Sequence, residues 1–229
     1  MSAPASDVRD WDGYAERWAA AHGGYDPRSA PPLVRGWLRI SYELGAALVR
    51  AGVRSPNAVT VLGLLLSVAV PLTVIGGGGW AFGGAVLVLL SAVADTVDGV
   101  LAVVTGRASR LGQVYDSAAD RVAEACWLVA LVLLGGPAWL AVACGGVMWL
   151  HEYVRARATV AGMSDIGTVT VAERPTRVLV TIFGLLAVAG ASALGRWESA
   201  TVLAVLVVMA ALTSAGFTQL AIAVRRALS

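Results

Sequence analysis

Lysine is absent from this chain: all 17 basic side chains are arginine. That uniformity reads as a bias of codon usage before it reads as function. Cysteine is scarce, occurring only as Cys126 and Cys144, each inside an apolar run. Thiols placed in this way are expected to be inert buried groups and not a disulfide framework. Charge is scarce as well, at 14% of residues against roughly 25% in an ordinary soluble domain. A soluble sphere with so little charge could not wet its own surface, which excludes a soluble globular enzyme, a disordered tail and a secreted disulfide scaffold. Nor is there an excess of either sign. The 17 basic and 15 acidic residues leave a net charge of +2, and nucleic acid is not expected as a partner. No apolar run follows the start methionine, so the first membrane span is expected to serve as the insertion signal.

Apolar residues, by contrast, make up 58% of the 229 positions. Six spans of about 20 residues each need about 120, which the chain can supply. Residues 1–33 form a polar N-terminal tail broken by Gly23-Gly24, Pro27, Pro31 and Pro32. Within it Trp11, Tyr14 and Trp18 recur at helical spacing, which fits either a short helix touching the membrane interface or a loosely ordered tail. Residues 34–54 read as an amphipathic juxtamembrane helix. Trp37, Ile40, Leu44 and Leu48 fall on one face, and Arg35, Arg39, Glu43 and Arg50 on the other, a pattern suited to lying in the headgroups.

Residues 55–229 carry the spans. Ser55-Pro56-Asn57 opens the first, with serine as N-cap and proline at the first helical position. It runs to about Ile75 and stops at four glycines, 76–79. The others are expected at about 80–104, 111–134, 137–160, 175–194 and 198–223. The reading is an all-α, polytopic membrane protein with six transmembrane helices and an N-terminal amphipathic interfacial helix. Arginine placement orients it. The connections after spans one and three carry no charge, whereas the N-terminal region, the 105–111 and 161–174 connections and Arg225-Arg226 hold nearly all the rest or adjoin them. Both termini are therefore expected in the cytoplasm of a cell-membrane protein.

Four aspartates sit where charge is expensive: Asp95 and Asp98 in span two, Asp116 and Asp120 in span three. A charge deep in a helix costs roughly 2.5–3.5 kcal/mol on insertion scales. Each pair, spaced by three or by four, shares one helix face. The short 105–110 loop between the spans places all four at similar depth, with Asp98 roughly 9 Å and Asp95 roughly 14 Å from that loop at the helical rise. Four clustered carboxylates repel unless cations neutralise them. Hard oxygen ligands suit Mg²⁺ or Mn²⁺, and four of them can bridge two divalent ions, the device that clamps the oxygens of a phosphoryl transfer. The plainer alternative pairs these acids with arginines such as Arg107 and Arg121, which would leave the other acids without partners inside the span.

Written out, the hairpin is Asp95-x-x-Asp98-Gly99-x-x-Ala102-Val103 and, after eight further positions, Gly112-x-x-x-Asp116-x-x-x-Asp120. It resembles the signature of the CDP-alcohol phosphatidyltransferase family. Seven of the eight fixed residues of that signature recur here at the right spacing, and Val103 stands in place of the eighth, an arginine. The likeness covers nearly all of the chain beyond residue 33. It implies an integral-membrane transferase that moves a phosphatidyl-type group from a CDP-diacylglycerol-type lipid to a polar alcohol and releases CMP, in phospholipid synthesis.

By resemblance, Asp95, Asp98, Asp116 and Asp120 hold two divalent metals, and Asp120 is also the base that takes the acceptor's proton. Pro56, Asn57, Thr60, Gly99, Ala102, Ser109 and Gly112 match positions that contact the CDP-lipid. The loss of arginine at Val103 bears on nucleotide affinity, and Arg107, one turn on, is a possible substitute. Tyr153–Ala158 and Glu173–Arg177 resemble the acceptor segments of the family's phosphatidylinositol-phosphate synthases. Arg155, Arg174 and Arg177 are thereby implied to hold an acceptor phosphate, as in inositol phosphate or glycerol phosphate; arginine forks and a helix N-terminus suit such a group. The resemblance also implies a homodimer.

Two other readings stand beside this one: a catalytically silent CDP-lipid binder, motivated by Val103, and an ion or proton carrier using the buried acids. Relays string acids through the membrane, however, and these four gather at one depth. Other signals carry less. His151-Glu152 begins a zinc-protease pattern that fails at Arg155, which leaves His151 as an interfacial helix residue, and His22 lies in the tail. Gly79 and Gly83 make a short G-x-x-x-G spacing in a glycine-rich chain. Trp127, Trp139, Trp149 and Trp197 read as interfacial or lipid-facing anchors.

Overall fold

The structure is a computed structural model that describes residues 10–21, 24, 26–163 and 169–229. Among them all regular structure is helical, in the order α1 (Trp11–Ala21), α2 (Pro32–Arg50), α3 (Pro56–Val74), α4 (Ala81–Val104), α5 (Arg110–Leu133), α6 (Ala138–Val160), α7 (Arg174–Ala193) and α8 (Glu198–Leu228). Short 3-10 turns precede α2 and α4. By length and composition alone, four segments among the described residues can cross a membrane: Pro56–Val74, Gly78–Val104, Arg174–Ala193 and Glu198–Leu228. Helices α5 and α6 are as long, but Asp116, Asp120, Arg121 and Glu124 punctuate the first and His151, Glu152, Arg155 and Arg157 the second.

Local chemistry sets the boundaries near the carboxylates. Ser55 caps α3, its hydroxyl accepting the N–H of Ala58 at 3.4 Å, with Pro56 as the first helical residue. The end of α4 is closed by the Ala102 carbonyl, which takes the N–H groups of Arg107 (2.9 Å) and Ala108 (3.1 Å) around Gly106 at φ 66°. Ser109 then caps α5 by accepting the N–H of Gly112 at 3.0 Å. Helix α2 starts at Pro32, slightly before the expected boundary, because proline is at home in a first turn. Helix α8 runs on to Leu228, past the expected end near residue 223, since nothing between 198 and 228 breaks a helix.

The chain divides into two compact units. The first comprises Met1–Gly63 and Ser91–Asp120. In it, Tyr14, Tyr42 and Val100 form a buried cluster joined by Trp11, Trp18, Ala46, Val103 and Val104. The Tyr14 and Tyr42 rings lie 5.1 Å apart, and Trp11 meets Tyr42 edge-on at 5.8 Å, both within the range of favourable aromatic contact. Of the two readings of the tail, residues 11–21 therefore take the helical one. A second cluster, Val59, Ala94, Val97 and Leu101, packs α3 against α4. Helix α2 buries Ser41, Tyr42 and Gly45 and exposes Trp37, Ile40 and Leu44 beside Arg35, Arg39 and Glu43.

The second unit comprises Leu64–Leu90 and Arg121–Ser229, where α6 and α7 both pack on α8 around Leu131, Met148, Leu185, Leu206 and Met209. Trp139, Trp149 and Trp197 are exposed, but Trp127 is not the anchor expected of it. It is 2% exposed and its indole N–H donates to the Ser67 hydroxyl at 3.2 Å, so its polar edge has no need of the interface. Both cysteines are free thiols.

Candidate functional site

The carboxylates depend on how closely α3 and α4 approach. The Ser91 hydroxyl donates to the Gly63 carbonyl at 2.9 Å, and a Cβ added at Gly63 would stand 3.3 Å from that of Ala94. Small residues at this crossing let two backbones meet, as is common where helices pack in a membrane. The approach puts Thr60 within hydrogen-bond reach of Asp98, to whose Oδ2 its hydroxyl donates. Asp98 is 6% exposed and remains close enough to Asp116 for their charges to interact.

Asp95, Asp116 and Asp120, all half-buried, each bring one oxygen within 4.8 Å of the other two. Four acids were expected in one cluster; the structure gathers three and gives the fourth to Thr60. The spacing accounts for this. Asp98, three residues on, lies about 60° around α4 from Asp95 at 100° per residue, whereas Asp120 lies only about 40° around α5 from Asp116. The triplet suits a hard divalent cation. Oxygens about 2.1 Å from Mg²⁺ in octahedral array stand about 3.0 or 4.2 Å apart, a scale comparable with the 4.8 Å that bounds this triplet.

The positions matched to the CDP-lipid surround this triplet in sequence. Pro56 opens α3, and the Asn57 side chain lies beside Gly112, where an added Cβ would stand 3.7 Å from Asn57 Oδ1 and 3.1 Å from the Ser109 hydroxyl. Ser109 is engaged as the cap of α5, and the Ala102 carbonyl closes the hairpin turn. Gly99 is exposed and faces open space. Val103 packs into the cluster around Tyr14 and Tyr42, an apolar neighbourhood for a position that carries arginine in the family signature. Arg107 donates to the Arg54 carbonyl at 2.9 Å and so ties the hairpin to the start of α3.

In the second unit the three arginines of the expected acceptor pocket have different surroundings. Arg177 was expected at an open phosphate site, but it is 1% exposed and engaged by protein acceptors. Its Nη1 donates to Glu124 at 2.9 Å, its Nη2 to Glu152 at 3.0 Å and its Nε to the Ala172 carbonyl at 2.7 Å. Arg121 adds contacts to Glu124 at 3.4 Å and Glu152 at 3.2 Å. His151, expected at the interface, is also 1% exposed, with Nε2 3.1 Å from the Thr170 hydroxyl. Burial is tolerable for both because each polar atom meets a partner. Arg155 and Arg174 are half-buried, and Arg155 pairs with Glu173 at 2.5 Å.

Glu124, Glu152, Thr170 and Glu173 were missed by sequence reasoning. The signal was present: Glu124 and Glu152 also fall inside expected spans, and counting them with the aspartates would have flagged two more costly charges.

Comparison with known proteins agrees with the family resemblance. The sequence profile of the CDP-alcohol phosphatidyltransferase family matches residues 53–215. A phosphatidylinositol phosphate synthase of Mycobacteroides abscessus is 33% identical over 184 residues, covering 77% of this chain and 81% of the relative. The crystal structure of the Mycobacterium tuberculosis phosphatidylinositol phosphate synthase with CDP-DAG bound superposes with a TM-score of 0.64 at 27% identity, over 81% of this chain and 94% of that one. The same enzyme in complex with manganese and citrate gives a TM-score of 0.64 at 26% identity, over 81% and 88% of the two chains.

Proposed function

The chain belongs to the CDP-alcohol phosphatidyltransferase family, and from that premise we propose that it moves a phosphatidyl group from a CDP-linked lipid to the hydroxyl of a phosphorylated alcohol, releasing CMP. Inositol phosphate is the first candidate acceptor, since the similar proteins are named for it, and glycerol phosphate is the second. The observation that carries the reading is the convergence of Asp95, Asp116 and Asp120 within 4.8 Å. Three carboxylates brought together on neighbouring helices suit a hard divalent cation, and a diphosphate needs one too.

Asp95, Asp98, Asp116 and Asp120 are the residues that would hold two divalent ions, Mg²⁺ or Mn²⁺. Such ions, when bound, neutralise the diphosphate and make its phosphorus easier to attack. The chain's own groups do the rest. Asp120 takes the proton of the acceptor hydroxyl, whose oxygen forms a bond to the lipid-side phosphorus as the diphosphate bridge breaks and CMP leaves. Thr60 steadies Asp98, while Asn57, Ser109 and Gly112, gathered at the starts of α3 and α5, receive the nucleotide with Pro56, Gly99 and Ala102. Arg155 and Arg174 receive the acceptor phosphate, and Arg177 holds their surroundings together by joining α5, α6 and the segment before α7.

In this reading α5 and α6 also cross the bilayer, giving six spans, and α2 lies in the headgroups with Trp37, Ile40 and Leu44 toward the lipid. Residues 1–33 form the tail, 34–54 the juxtamembrane helix and 55–229 the catalytic membrane domain. The arginine-rich ends support a cytoplasmic location for both termini and the site.

The test is CMP release by the purified protein given CDP-diacylglycerol, Mg²⁺ or Mn²⁺, and a panel of alcohols with and without phosphate. Release with inositol phosphate or glycerol phosphate supports the proposal. A best acceptor lacking phosphate removes the arginine assignment and leaves the reaction. The packing of Val103 among aromatic rings favours one second reading, a silent relative, which predicts CDP-lipid binding with no CMP from any acceptor.

A further inference from the structure

One oxygen in the second unit collects donors the way a bound anion does. Oε1 of Glu173, at the N-cap of α7, takes Nη2 of Arg155 at 2.5 Å and both the N–H and the hydroxyl of Thr170 at 2.9 Å. The arginine is nevertheless only half used on that side. Nε and Nη2 lie on one edge of the guanidinium plane with their N–H bonds pointing the same way, an edge shaped for two oxygens of one oxyanion. Nε of Arg155 is buried and has no hydrogen-bond partner among the described residues. The fork is thus held by a carboxylate at one prong. Both side chains keep contact with solvent, 27% for Arg155 and 26% for Glu173, so a water-borne anion can reach the pair.

We propose that Glu173 is a resident anion on the Arg155 fork, and that a phosphate monoester binds there by displacing it. A phosphate offers oxygens to both prongs and satisfies the idle Nε, which the carboxylate in its present position does not. Glu173 keeps Thr170 as its alternative partner, so its release from Arg155 strands no buried charge. The consequence for specificity is direct: an acceptor lacking an oxyanion has nothing with which to evict Glu173. In naming an acceptor phosphate this rests on the reading above, but the exchange itself can be read with inorganic phosphate alone.

The experiment uses the full chain with CDP-diacylglycerol and Mn²⁺. It measures inhibition of CMP release by inorganic phosphate, and KM for inositol phosphate, in wild type, Glu173→Gln, Arg155→Gln and the double variant. Glutamine keeps an oxygen for Thr170 and removes the competing charge. Glu173→Gln is expected to tighten phosphate inhibition and lower the acceptor KM by about two- to fivefold, the scale of a partly exposed ion pair. The effect should vanish when Arg155 is absent, which a purely structural role for Glu173 would not produce. Unchanged or weakened phosphate inhibition in Glu173→Gln, or a gain that survives loss of Arg155, overturns the proposal. If wild type uses only acceptors without phosphate, the acceptor reading fails while the inhibition series still decides the exchange. If wild type releases no CMP, the phosphate-induced shift in melting temperature across the same four proteins makes the same comparison. Glu173→Asp, which draws the carboxylate back by one methylene, replaces the glutamine variant if that protein does not purify folded.

Discussion

The acids on α4 and α5 of the first unit and those of the second unit are arranged in opposite ways. In the first, Asp95, Asp116 and Asp120 converge on one another. In the second, Glu124, Glu152 and Glu173 converge on guanidinium groups: Arg177 and Arg121 for the first two and Arg155 for the third. Folding favours the second arrangement unaided, because a buried charge with a well-placed counter-charge is tolerated where a lone one is not. The first sets like charges side by side, an arrangement suited to a site that takes a cation. The proposed chemistry rests on the grouping of like charges, and the pairs made by Arg177 belong to the frame.

The sharpest way to break that contrast is to neutralise one acid of each kind. Asp120→Asn is expected to lower kcat for CMP release by roughly 10²–10⁴, the usual contribution of a positioned base, with the protein still folded and monodisperse. An active Asp120→Asn protein would remove the base from the site. Arg177→Met works on the other side. It leaves Glu124 and Glu152 to share Arg121 and should destabilise the second unit by up to about 3 kcal/mol, read as earlier denaturation in detergent. Adding Glu124→Leu should restore part of that loss, because it leaves Arg121 to Glu152 alone; no recovery would mean that the pair matters for more than charge.

The contrast sharpens further with metal present. Mn²⁺ should stabilise the wild-type protein by about 2.7 kcal/mol at a hundredfold excess over its dissociation constant, read as a higher melting temperature, and should do nothing for an Asp95→Asn/Asp116→Asn variant. Stabilisation that survives in the variant would place the ion elsewhere. Without metal, the same double substitution should cost less stability than Arg177→Met, because it relieves repulsion among the three acids.

Much of this could be read before any coordinates. Proline 56 and the glycines at 76–79 announce where α3 starts and stops, since their backbone preferences act within a turn and need no distant partner. The three-acid cluster is legible for a related reason: helical geometry fixes which residues share a face, and a short loop brings two faces to one depth. Partner choice is where sequence reasoning runs out. Whether Asp98 turns to the other acids or to Thr60, 38 residues earlier, depends on how closely Gly63 and Ala94 let two helices approach. Trp127, His151 and Arg177 were placed at surfaces because their residue types are usually found there. Ser67, Thr170 and Glu124 supply the partners that carry them inward, and no local pattern names those partners.

The burial of Arg177 also bears on how the protein is made. A guanidinium buried without its counter-charges is strongly destabilising. Its two counter-charges, Glu124 on α5 and Glu152 on α6, are both synthesised before it. As α7 leaves the ribosome, the carboxylates that receive its arginine have already been translated, and the cation can settle on arrival. A chain with the same helices in reversed order would hold that cation waiting for its partners, exposed to the quality control that removes poorly inserted segments.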